Sequence, residues 1–294
     1  MACRKIWAWG VATGAAMALG LAAGPALANH SWGGYHWANV SKDAPLKVKI
    51  YSNISSAWTN SLNLAFGEWN DFNVIKNIDP NHDWSAVSDV LDPVYAVSTT
   101  DPKKCSPISG HIQVCSAAYG LRGWLGIAQI WLDGTHITAG ITKLNDSYFG
   151  AGSTYNTPAW RDLVTCQEVG HDFGLAHQNE DFYNVNVGSC MDYTNDPDGT
   201  INGQKSNVAP NYHDYEQLTA IYNGHTEPVS GGGGGGRGKP FGEGPGGDSP
   251  AEWGKAIHYN VDGKPDYFLQ TLPSGRKKLT HVFWTPERAR EHHH

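Results

Sequence analysis

The stretch Gln167-Glu168-Val169-Gly170-His171-Asp172-Phe173-Gly174-Leu175-Ala176-His177 decides how this chain is read. On a helix, side chains four positions apart project from one face a turn apart, so Gln167 and His171 can address the same metal ion. Glu168 lies beside them, where a carboxylate reaches a metal-activated water without being a ligand. Gly174 permits the positive-φ backbone that ends a helix and brings His177 round as a third ligand. The candidate metal ligands are therefore Gln167, His171 and His177, with Glu168 as general base.

Upstream, Thr157-Pro158 supplies a hydroxyl cap and a first-turn proline. Apolar Trp160, Leu163, Val164 and Val169 follow, predicting a helix that stops near Gly174. Further towards the N-terminus, Leu46 to Tyr51 alternates apolar with polar residues as a half-buried strand does, and Ala57 to Phe72 has helical apolar spacing. Short strands are expected at Val94–Ser98, His111–Ser116, Ile127–Leu132 and His136–Lys143. Gly126 to Leu132 is a candidate sheet edge for pairing with an extended peptide. Downstream, a third helix is expected from His213-Asp214 to Gly224.

With these residues in place, the segment resembles the H-E-x-x-H-x-x-G-x-x-H motif of the metzincin metallopeptidases, matching every fixed position except the first, where Gln167 replaces histidine. Ser189-Cys190-Met191-Asp192-Tyr193 resembles the Met-turn of that clan. The resemblance spans about residues 35 to 225 and is mixed in branch: a tyrosine two residues after the methionine is a feature of the astacin-like and serralysin-like branches, while the strand, helix, strand series with Gly126-Ile127-Ala128 looks more like bacterial matrixin-type domains. It implies an α/β (α+β) zincin-like catalytic domain, a mixed twisted sheet with an active-site helix and a Met-turn. It also implies a zinc cofactor and a zinc-dependent endopeptidase hydrolysing peptide bonds with a metal-activated water. Met191 would lie beneath the ligands, and Tyr193 would approach the metal and stabilise the transition state.

Gln167 changes the donor. An imidazole nitrogen gives way to an amide oxygen, harder and weaker, on a chain with one more torsion to freeze, so zinc affinity should fall. Both side chains are neutral, so the charge of the site is unchanged. Three readings stay open: Gln167 is a ligand and the enzyme works; the metal is held by His171 and His177 alone or with another side chain; or the domain is an inactive metzincin-fold binding module.

The chain of 294 residues has five cysteines. Arg4 and Lys5, an alanine-rich apolar stretch from Ile6 to Leu21 and a small-x-small ending at Ala28 read as a signal peptide over residues 1–28, which takes Cys3 with it. The protein is expected to be secreted, or periplasmic in a Gram-negative cell. Cys105, Cys115, Cys166 and Cys190 then suit two disulfides. Three connectivities are open in principle; the turn-rich Ser106–Gly110 favours pairing Cys105 with Cys115 and Cys166 with Cys190. The latter bridge would tie the metal helix to the Met-turn. No cysteine-bearing segment stands between Ala28 and the first strand to cap a metal, so export without such a lock is expected.

Asp192, Asn195, Asp196 and Asp198 crowd one loop and make a weak calcium candidate, more simply read as a turn around Asp196-Pro197-Asp198-Gly199. Beyond the metallopeptidase domain, residues 29–228, a Gly/Pro-rich linker is expected over residues 229–250, opening with six glycines at Gly231–Gly236. A small β-rich appendage over residues 251–294 follows, too small to be stable without docking. The net charge of −7 and the absence of a basic tract argue against nucleic acid and anionic membranes as partners. The expected partner is a protein or peptide substrate, and the expected state a monomer.

Overall fold

The computed structural model describes residues 30–38, 44–78, 80–81, 83–98, 100–224 and 246–291. The expected signal peptide, most of the expected linker and the terminal histidines lie outside them. No helix among the described residues is long and apolar enough to cross a membrane.

In chain order the elements are β1 (His36–Trp37), β2 (Lys49–Asn53), α1 (Thr59–Asn70), α2 (Phe72–Ile78), β3 (Val94–Val97), β4 (His111–Ala117), β5 (Trp124–Asp133) and β6 (His136–Asn145). They continue with α3 (Pro158–Asp172), α4 (Tyr212–Tyr222), α5 (Pro250–Trp253), β7 (Lys255–Tyr259), β8 (Pro265–Thr271), β9 (Lys277–Trp284) and α6 (Pro286–Ala289). The expected strands and the three expected helices are present at or near the positions read from the hydrophobic periods, and β1, α2, α5 and α6 are additional to them. Thr157 caps α3 by accepting from the Trp160 amide, and Asn211 and Asp214 form a reciprocal capping box on α4.

The nine strands form one mixed sheet in the order β3-β2-β4-β6-β5-β9-β8-β7, with β1 added alongside β6. β3, β2, β4 and β6 run parallel to their neighbours; from β6 onward every pairing is antiparallel. α3 packs against α1, β5 and β6. β5 is buried at every position from Trp124 to Leu132, as a strand covered on both faces must be. Alternation along the strands sends Trp131, Ala139 and Ile141 away from α3, into a second cluster with the Cys105–Cys115 pair and Leu272.

One expectation is corrected here. Gly126 to Leu132 is not a free edge: β5 lies between β6 and β9, the last strand of the C-terminal segment. The segment from residue 251 does form short strands, and they dock by extending the main sheet. Burial drives this, because β8 and β9 carry Phe268, Leu279, Val282 and Phe283, which need a core that three strands alone do not supply. Its entry is pinned as well. Buried Lys143 donates to the Gly246 carbonyl, Arg122 pairs with Asp248 at 3.0 Å, and fully buried Trp253 donates to the Gly247 carbonyl at 3.1 Å.

Candidate metal centre

α3 presents Gln167, Glu168 and His171 in its last two turns, and all three side chains are fully buried. The helix ends as the glycine requires: Gly174 has φ +91°, and a Cβ there would sit 2.2 Å from the Tyr35 carbonyl oxygen. The turn brings His177 back over the helix, with 3.0 Å between His171 Nε2 and His177 Nε2. Beneath, Met191 meets the backbone of α3. Its Sδ lies 2.6 Å from where a Cβ on Gly170 would be, so only glycine admits it. The Cys166–Cys190 bridge, Cα atoms 5.9 Å apart, ties this helix to the Met191 segment, and Cys105 pairs with Cys115.

The tautomer of His171 follows from its neighbour. Its Nδ1 is 2.8 Å from the Leu175 carbonyl, which only accepts, so Nδ1–H donates and the Nε2 lone pair faces His177. His177 Nδ1 lies 2.8 Å from the Tyr267 hydroxyl and 3.3 Å from Glu180 Oε1. When His177 keeps its proton on Nδ1 for Glu180, two lone pairs meet at 3.0 Å, an arrangement that a cation between them stabilises.

Gln167 takes a different course from the histidines. Its amide nitrogen donates to the Cys190 carbonyl at 2.7 Å, and its buried Oε1 has no hydrogen-bond partner. The third imidazole at the centre is instead His281, from β9. Its ring lies 4.1 Å from that of His171 and 4.7 Å from that of His177, and ligand atoms of the three residues all fall within 4.8 Å of one another. His281 Nδ1 is 3.0 Å from Glu168 Oε2, and its Nε2 is 3.0 Å from the Tyr193 hydroxyl.

Register explains the arrival of His281. Ala128 on β5, His281 on β9, Tyr267 on β8 and His258 on β7 are successive cross-strand partners. This rung lies over the α3 turn: His281 meets Glu168, Tyr267 meets His177, and His258 reaches Glu180 at 3.6 Å. Tyr193 packs with Phe182 and Phe283 in one three-ring cluster, and its hydroxyl also lies 3.3 Å from Asp266 Oδ2. Trp32, from the N-terminal segment, covers the His171 ring at 5.0 Å.

Burial governs the electrostatics. It lifts the Glu168 carboxyl well above the carboxylate range, against an opposing hydrogen bond from Ala128, and lifts the Tyr193 hydroxyl in the same way. It also lowers His171, with the His281 and His177 charges adding to the effect, lowers His177 likewise, and takes His281 down to about 3. Three neutral imidazoles around a buried acid are the protonation state in which lone pairs are free for a cation.

The sequence motif brings Glu168, His171, His177, Met191 and Tyr193 into one site; reasoning from sequence did not single out His281, Tyr267, Asp266 or Trp32. No spacing rule links a histidine on β9 to a helix more than a hundred residues earlier. Its only local signal is a lone histidine inside the apolar run Leu279–Trp284. In the acidic loop, Asp192 accepts from Asn184, Val187 and Asn207, and Asp196 from Thr200 and Ile201. Those carboxylates serve the turn, and among the described residues they join no cluster of metal-ligand type. No protein-family model matches the chain, and no curated protein matches it.

Proposed function

We propose that the chain is a secreted zinc-dependent endopeptidase with a zincin-like fold, acting on protein or peptide substrates. One observation carries the reading: the fully buried carboxylate Glu168 stands on the same helix as His171, whose Nε2 lies 3.0 Å from that of His177. The donors fit a zinc ion, being imidazole nitrogens with an orphaned amide oxygen, Gln167 Oε1, on the same helix.

When bound, zinc would polarise a peptide carbonyl and make water acidic enough to attack it at neutral pH. The protein residues do the rest. Leu175 holds the His171 tautomer through its carbonyl, and Met191 fills the space under Gly170 so that the histidines keep their positions. The charge of a bound cation would favour the ionised form of Glu168, which would then take the proton of the attacking water and return it to the leaving amine. The Tyr193 hydroxyl would be the donor to a developing oxyanion by turning its proton from Asp266 Oδ2.

A second reading, a binding module on the same fold, is favoured by the closure of the site: Glu168 and His171 are fully buried, and β9 fills the strand position beside β5. Metal analysis and a peptide assay separate the two. The peptidase reading expects one zinc per chain, lost in His171→Ala, and hydrolysis of a casein or peptide library that disappears in Glu168→Ala. Absence of zinc at micromolar zinc, or hydrolysis unchanged by Glu168→Ala, rejects it. Zinc binding without hydrolysis under any condition leaves the binding module.

A further inference from the structure

We propose that His281 on β9 is a ligand of the metal held by His171 and His177, so that the C-terminal strand completes the metal centre and in the same pose closes it. This rests on the reading above that His171 and His177 hold a metal.

The donor set supports it. Gln167 stands where the motif has an imidazole and is tethered through its amide nitrogen to the Cys190 carbonyl. The three imidazoles that do meet are those of His171, His177 and His281, all in a dry interior where an uncompensated polar ring is costly. His281 is prepared for ligation by its two neighbours. Its Nδ1 rests on Glu168 Oε2, the carboxylate–histidine contact that orients imidazole ligands. Its Nε2 faces the Tyr193 hydroxyl at 3.0 Å. Turning that nitrogen to a metal orphans nothing, since the Tyr193 hydroxyl keeps Asp266 Oδ2 at 3.3 Å as acceptor.

The backbone makes the placement specific. His281 is opposite Ala128 in the antiparallel β5–β9 register, and a slip of one residue would send it to the other face of the sheet. Thr280, the neighbour on that other face, accepts a 2.9 Å hydrogen bond from Gln129, which holds the register. In this pose His281 also occupies Glu168, and β9 covers the site from the β5 side. The C-terminal strands therefore both supply a ligand and cover the site.

X-ray absorption of the zinc-loaded full-length protein counts imidazoles directly. Three are expected in the wild type and two in His281→Ala, with zinc affinity in that variant falling on the order of 100-fold. The double variant Gln167→His with His281→Ala returns an imidazole to the helix and should regain most of the affinity, which separates loss of a ligand from loss of fold. Two imidazoles in the wild type, or unchanged affinity in a folded His281→Ala, overturns the proposal. A wild type that binds no zinc sinks the metallopeptidase reading itself, a distinguishable result.

Discussion

Gln167 concentrates the chemistry of this protein in one side chain. With its nitrogen given to Cys190 and its oxygen unpartnered, it can offer a metal only an amide oxygen, a weaker donor to zinc than imidazole. Gln167→Ala should therefore lower zinc affinity less than His281→Ala does, by about 10-fold or less, the low end for residues supporting a metal site. Competition with a chelating dye ranks the two variants, and the reverse order would make Gln167 the principal donor. A second buried group sets the response to pH. Burial, helped by Asp162, pushes the Glu68 carboxyl up to about 8, and Glu68 Oε2 has no hydrogen-bond partner. Between its ordinary value of 4.5 and 8, the unfolded chain has released this proton and the folded chain has not, so stability falls as pH rises through that window. Its slope is about 1.4 kcal/mol per pH unit. Glu68→Gln removes the titration, and the fall in stability over this range, followed by urea unfolding at several pH values, should flatten.

At the scale of elements, α3, its terminal turn and the Met191 segment act as one unit. Gly174 is the hinge of that unit, and alanine there meets both an unfavourable φ and the Tyr35 carbonyl. Gly174→Ala should cost at least about 2 kcal/mol, measured by denaturant unfolding, and should weaken zinc binding as His177 shifts. Normal zinc affinity in that variant would show that the turn does not position His177. These local features are legible in the sequence because each is decided within a few residues: Thr157-Pro158 opens the helix, four-residue spacing aligns Gln167 with His171, and Gly174 ends it. The cysteine pairing was legible for the same reason in Cys105–Cys115, whose partners stand ten positions apart. The fate of β5 was not. Whether a strand is an edge depends on which other strand arrives beside it, and β9 comes from a segment more than a hundred residues away.

Over the whole molecule, the C-terminal strands extend the main sheet and carry His281 to the histidine cluster. They are anchored away from the metal site by Trp253, fully buried against Phe268 and Trp284. Trp253→Ala should cost about 3–5 kcal/mol, concentrated in β7–β9. Hydrogen exchange followed by mass spectrometry should quicken there while α3 and β4 stay protected, and zinc affinity should fall as β9 carries His281 away from His171 and His177. Quickened exchange with unchanged zinc affinity would mean that docked β9 contributes nothing to metal binding. The sequence by itself determined the three longest helices, most strands, the cap and turn residues and the motif bearing Glu168, His171 and His177, since short-range periodicity and backbone preference decide all of these. Only the tertiary structure decided that a histidine from β9 meets them and that the expected substrate edge is already paired. Strand order and register are set by burying the apolar faces of distant segments together, and no local spacing encodes which partners will meet.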